Sequence, residues 1–372
     1  MSQNQRPLLL TGMFRSGTTL FAYMLNANKN INLVSDPFAP FFKSFRNYYA
    51  KKIFKKFDIK SPLNDYYFDK NQNHLYRTLQ EKSFNTKVNS NELNNLKKQL
   101  INQNNVYYPK LVNYLRKLKG NTFKKILENF LKIIREISHK KTNIIGFKEV
   151  WVGEFTKHFL EVNRFSKVIY IVRDPRAVVA SKLFAKDQYP LIFLVRQWRK
   201  LASICLFYKN KNKRVLIIKY ENLVQNPVST SKMVCKFLNV KYDSSMVKFS
   251  DLKNNEGKKW TQNSTFKKIK KFNKASISIW KSKLNKNIIK LVEFFCWKEM
   301  SSFGYKLKYK KMNNINLNFL INAKKKEHLA KWIVPYSKYD IKKEYLKEKK
   351  RNKILLSSLR VSKKLNSLFF LK

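Results

Sequence analysis

Glycine is scarce, at 7 of 372 residues. That excludes a collagen-like chain and a Gly-rich low-complexity one. Cysteine is scarcer: Cys205, Cys235 and Cys296 stand far apart, with no CxxC pair. Neither a disulfide framework nor a structural zinc site is indicated. The four histidines (His74, His139, His158, His328) form no HExxH pair, and no metal is expected. No apolar run reaches the ~18 residues of a spanning helix. The short run Pro7–Leu10 before Thr11-Gly12 suits a strand better than a signal-peptide core. The expectation is a cytoplasmic protein.

What is present is apolar and basic. Hydrophobic residues make up 44% of the chain, enough for a sizeable core and too many for a wholly disordered chain. A length of 372 residues allows one large domain or two ordinary ones. Lys+Arg number 79 against 23 Asp+Glu, a net charge of +56. Such a charge repels itself in a compact chain and attracts polyanions. The excess is mostly Lys, with Asn and Ile also abundant, and compositional bias accounts for it equally well. Charge alone therefore does not select a function.

The apolar pattern alternates strands with helices. Strands are read at 7–11, 143–148, 168–172 and 215–219. Helices are read at 18–26, 152–162, from 175, at 191–208, 229–238 and 277–300, the last ending near Gly304. The alternation predicts an α/β fold, a three-layer parallel sheet flanked by helices. Residues 41–140 differ in texture and read as a helical insertion that caps the acceptor side. A polar loop covers 241–275. The core domain is placed at 1–310 and a basic helical extension at 311–372.

The loop after the first strand is Gly12-Met13-Phe14-Arg15-Ser16-Gly17-Thr18-Thr19. Its glycine spacing is that of a phosphate-binding P-loop, in which backbone N–H groups at a helix start cradle an anion. Thr18 stands where a nucleotidase carries Lys, and the cation is Arg15 instead. That argues against triphosphate hydrolysis and not against phosphate binding. The plain alternative is an ordinary strand-to-helix turn with hydroxyl caps.

Arg15-Ser16-Gly17-Thr18-Thr19-Leu20 after a short strand resembles the 5′-phosphosulfate loop of the sulfotransferase superfamily, whose sulfonate donor is 3′-phosphoadenosine 5′-phosphosulfate (PAPS). Further matches follow in order. Arg173-Asp174-Pro175, then Ser181, resembles the family's 3′-phosphate site, and locally Asp174 and Pro175 suit a helix start. Tyr220-Glu221-Asn222-Leu223 resembles the stretch whose Tyr lies near adenine. Lys148, ending an apolar strand, matches the Lys that stabilises the transferring sulfonate in the tyrosylprotein branch. Ser264 matches a hydroxyl of the cofactor-covering loop. Asp36 stands where that branch carries a Glu as general base; a turn Asp before Pro37 is the plain reading. Glu149 and His158 are alternative bases. Ala185 departs from the pattern where a further Arg is usual, with Lys182 or Lys186 as substitutes.

The resemblance implies a PAPS-dependent sulfotransferase. Arg15, Lys148, Asp36 and Ser264 would be catalytic. Arg15, Ser16, Gly17, Thr18, Thr19, Arg173, Ser181, Tyr220 and Ser264 would hold PAPS. The acceptor would carry a free hydroxyl, first on a carbohydrate, with an acidic glycan or peptide suggested by the charge. A specific nucleic-acid partner is not expected, and the basic tail Lys349–Lys372 suits peripheral membrane contact. The competing readings are a P-loop kinase or NTPase and a non-catalytic polyanion-binding protein.

Overall fold

The computed structural model describes residues 5–57, 70–138, 142, 144–182, 191–260, 271–309 and 341–357. In chain order the elements of the first part are β1 (Arg6–Gly12), α1 (Thr18–Ala27), β2 (Ile31–Ser35), α2 (Ala39–Ile53), α3 (Lys70–Glu81), α4 (Ser90–Tyr107), α5 (Val112–Leu115) and α6 (Phe123–Ile137). Then come β3 (Ile144–Lys148), α7 (Thr156–Val162), β4 (Lys167–Val172), α8 (Pro175–Lys182), α9 (Leu191–Tyr208), β5 (Val215–Lys219), α10 (Tyr220–Gln225) and α11 (Pro227–Leu238). The last are α12 (Trp280–Lys283), α13 (Lys286–Ser302) and α14 (Ile341–Ser357).

The strands form one parallel sheet in the order β2-β3-β1-β4-β5. The alternation of apolar runs with amphipathic helices demands this arrangement, because a parallel pair needs a crossover. From β1 the chain crosses to one edge and from β4 to the other. A ligand crevice is expected outside the carboxyl ends of strands at such a switch. Leu8, Leu9 and Leu10 are fully buried. Gly146 passes so close to β1 that a Cβ there would meet the Leu8 carbonyl oxygen at 1.8 Å, so only glycine fits.

The chain divides into two units. The first comprises Met1–Phe57, Arg77–Val172 and Lys209–Asn273. It holds the sheet, with α1, α6 and α7 packed against it. Between β2 and β3 it carries α2, α4, α5 and α6. Their aromatic core includes Phe38 stacked on Phe130 at 3.7 Å and Phe45 edge-on to Phe84 at 4.9 Å. α4 opens with a capping box, Asn89 and Glu92 exchanging side chain–backbone hydrogen bonds.

The second unit comprises Asp58–Tyr76, Arg173–Tyr208 and Lys274–Lys372. α9 and α13 pack together there. α14 joins them through a buried ionic network: Arg351 pairs with Glu299 at 2.7 Å and Glu348 at 2.8 Å, and Arg199 pairs with Glu348. The continuous helix expected over 277–300 is broken. α12 stops at Lys283, and Asn285 caps α13 by accepting the Ile288 N–H at 3.0 Å. A capping Asn stops one helix and starts the next. Among the described residues no helix is long and apolar enough to cross a membrane.

Candidate active site

The loop Met13–Gly17 joins β1 to α1. Arg15 and Gly17 both adopt left-handed backbone, at φ 66 and φ 87. Gly17 is the N-cap residue of α1, which therefore has no side-chain cap. An uncapped helix start presents N–H donors to an external acceptor, and its dipole favours an anion. Ser16 is fully buried, and its Oγ has no hydrogen-bond partner among the described residues. A buried orphan hydroxyl is costly unless a ligand satisfies it. Thr18 is buried and Thr19 half-buried.

Tyr220, at the start of α10, packs directly on this loop. A Cβ on Gly17 would stand 2.3 Å from its ring. Two stretches singled out in the sequence, more than 200 residues apart, thus meet in one place.

A second pair meets at neighbouring strand ends. Ser35 of β2 stands in register with Lys148 of β3, and Leu10 of β1 flanks Lys148 on the other side. The Lys148 Nζ donates to Asp36 Oδ2, with the Lys side chain 2% and the Asp side chain 29% exposed. Asp36 is left-handed at φ 55. Its N–H donates to the Lys148 carbonyl at 2.8 Å, and Gln103 Nε2 donates to its carbonyl at 2.7 Å. Asn104 Nδ2 holds the Pro37 carbonyl at 2.8 Å. Two phenols feel the Asp36 charge. Burial pushes the Tyr23 hydroxyl up to about 12, Asp36 adding to it and a Ser35 hydrogen bond opposing it. Burial, then Asp36 and Glu149, raise Tyr107.

Neither alternative base stands where it could serve. Glu149 is 1% exposed, and its Oε1 accepts the Phe38 N–H. Burial holds its carboxyl well above the usual range, and the Asp36 charge adds to that. His158 is fully buried, packed on Phe45, Phe84 and Phe155, with Nε2 2.8 Å from the Leu79 carbonyl. Desolvation lowers its pKa to about 4.

In the second unit, Arg173 follows β4 directly. Its Nη2 donates to the Ser276 carbonyl at 2.6 Å, and Trp198 Nε1 donates to the Arg173 carbonyl at 2.7 Å. Asp174 Oδ1 accepts the Arg176 N–H at 2.8 Å, the capping expected of it. Arg176 also pairs with Glu293 at 2.6 Å and lies over the Trp280 ring at 3.9 Å. Ser181 lies half-buried on α8. Ser264, Ala185 and Lys186 lie outside the described residues, as does the Lys182 side chain.

Other residues shape the site without any local pattern to announce them. Gln103 reaches Asp36 from α4. Asn255 brackets Ser35, accepting its N–H and donating to its carbonyl, each at 2.9 Å. Trp151 is left-handed at φ 67 and sets its ring edge-on to Phe14 of the loop at 5.1 Å. Only contact between segments distant in sequence identifies these.

Comparisons with known proteins show the family and the fold. A family model described as Sulfotransferase family matches residues 7–244. Carbohydrate sulfotransferase 1 of Danio rerio is 24% identical over 192 residues, 44% of each chain. The Homo sapiens protein of that name is 23% identical over 203 residues, 46% of each chain. This chain thus spans under half the length of those relatives. A solved structure, the sulfotransferase domain from the curacin biosynthetic pathway, superposes with a TM-score of 0.50 at 17% identity, covering 82% of this chain and 98% of that one. That likeness speaks to the fold.

Proposed function

Since the chain belongs to the sulfotransferase family, we propose that it moves a sulfonate group from PAPS to an acceptor hydroxyl, on a carbohydrate in the first instance. The observation that carries the reading is the loop before α1: an uncapped helix start, a left-handed Arg15 and a buried Ser16 hydroxyl without a partner among the described residues. These features fit a phosphate group, and Lys148 with Asp36 lies one strand away from β1. The names of the curated relatives support a carbohydrate acceptor.

PAPS, when bound, supplies an activated sulfonate. Arg15, Ser16, Gly17, Thr18 and Thr19 would hold its 5′ end, Tyr220 its adenine, and Arg173 with Ser181 its 3′-phosphate. Ser264 is proposed for the same cofactor on the resemblance alone. Arg15 and Lys148 are cations preorganised where negative charge develops. Lys148 has three donors, so one can hold Asp36 while others serve an anion. Asp36 is the partly exposed carboxylate proposed to take the acceptor's proton.

Titration calorimetry with PAP, the desulfonated product, tests this, with ATP and AMP as controls. Tight PAP binding that weakens in Arg173→Ala is the expected result. Folded protein that binds heparin but not PAP would overturn the reading in favour of polyanion binding.

A further inference from the structure

In Asp36-Pro37-Phe38-Ala39-Pro40 the ordinary duty of the Asp would be to cap the helix that follows. Asp36 does not perform it. α2 begins at Ala39, its N-cap residue is Phe38, and no N-cap side chain bonds to the helix. The needs of this helix start are met otherwise. The Phe38 N–H donates to Glu149 Oε1, and the Ala39 N–H also contributes to that carboxylate. Pro40 has no N–H to satisfy. The Phe41 N–H donates to the Phe38 carbonyl at 3.1 Å. Glu149 belongs to the stretch after β3, so α2 is capped from a different strand end.

We infer that Glu149 is a positioning residue: it caps α2 in place of Asp36 and so leaves the Asp36 carboxylate facing Lys148. The inference rests on the proposed reaction, in which Asp36 takes the acceptor's proton. The geometry around it agrees. Lys148 and Glu149 are consecutive, and the residue between Ser35 and Pro37 is held on both sides by them. Lys148 binds the Asp36 carboxylate and, through its carbonyl, the Asp36 N–H, while Glu149 fixes the backbone two residues on. At 1% exposure Glu149 cannot touch an acceptor itself. Without it, the freed N–H groups of Phe38 and Ala39, two and three residues past Asp36, would fall to Asp36 in its usual capping role.

The test uses the full chain, radiolabelled PAPS as donor and a mixed neutral oligosaccharide pool as acceptor probe. Wild type, Asp36→Asn, Glu149→Gln, Glu149→Asp and Glu149→Ala are compared for kcat, acceptor KM, PAP affinity and melting temperature. Glu149→Gln keeps an acceptor oxygen of the same reach and should stay within about threefold of wild-type kcat. Glu149→Ala and Glu149→Asp should lose on the order of 10–100-fold in kcat, with PAP affinity within about twofold. If Glu149→Ala does not fold, Glu149→Asp against Glu149→Gln carries the comparison. A melting-temperature drop with kcat per folded molecule unchanged in both would reduce Glu149 to a structural cap and overturn the inference. A dead Glu149→Gln would overturn it too, because that variant keeps the capping oxygen. Wild type that binds no PAP and transfers nothing would instead overturn the proposed reaction.

Discussion

Arg15, Asp36 and Trp151 share a backbone conformation that non-glycine residues rarely adopt. Each stands at or just beyond the carboxyl end of a strand, β1, β2 or β3. Such conformations persist only where surrounding contacts over-determine them, and they cluster at functional sites. Asp36 is fixed by the Lys148 ammonium, the Lys148 carbonyl and the Gln103 amide. For the proposed transfer, Lys148→Ala should lower turnover about 10²–10³-fold, the usual loss when a preorganised charge-stabilising donor is removed. PAP affinity should fall far less, because Lys148 pairs with the carboxylate and not with the loop. Single-turnover rates alongside calorimetry separate the two, and equal losses in both would make Lys148 a binding residue only. The loop was legible because its glycines and hydroxyls are contiguous. Asp36 and Lys148 were each visible, but not as a pair, since 112 residues separate them and only the β2–β3 register brings them together. β2 itself was not read as a strand. Its five residues include a buried Asn32, whose Nδ2 donates to the Ile134 carbonyl at 3.2 Å, a tertiary contact that no periodicity announces.

Between elements, the same logic explains which boundaries held. β1, β3, β4 and β5 lie within a residue of their expected positions because buried parallel strands read as apolar runs. The helix over 277–300 failed because one polar residue, Asn285, outweighs the surrounding pattern. α7 offers a test at this scale. Its His158 fastens the helix to the Leu79 carbonyl inside an aromatic cluster. Burial depresses its pKa from 6.5 to about 4, so the folded state binds fewer protons than the unfolded one between those values. The stability this neutral imidazole provides is complete above about 6.5 and is lost as the pH falls toward 4. The loss at pH 4.5 relative to pH 7.5 should be roughly 2–3 kcal/mol. His158→Gln keeps an N–H for Leu79 and does not titrate, so its urea midpoint should fall less steeply with acid than that of wild type. Parallel midpoints across this range would show that His158 does not titrate on unfolding as described.

Over the whole molecule the dominating quantity is the net charge of +56. The described exposed ion pairs, Lys157–Glu161 at 3.9 Å and Lys258–Glu256 at 2.9 Å, are of the kind that contributes little. The ion pairs that matter are buried, such as Arg351 with Glu299 and Arg176 with Glu293, where salt screens weakly. Added salt therefore removes little attraction and much repulsion. The folded chain, which holds its charges closer together than the unfolded one, gains from it. Raising sodium chloride from 50 to 500 mM shortens the screening length from more than 10 Å to about 4 Å. The melting temperature should rise, by about 1–2 °C for each kcal/mol gained in a chain of this length. PAP at micromolar concentration should add its own increment through the site, and Arg173→Ala should reduce that increment while leaving the salt slope intact. A melting temperature that falls with sodium chloride would mean that surface attraction, not repulsion, governs this fold. The excess Lys would then be organised into ion pairs beyond those described. A salt slope that vanishes in Arg173→Ala would mean that chloride acts by occupying the phosphate site rather than by screening.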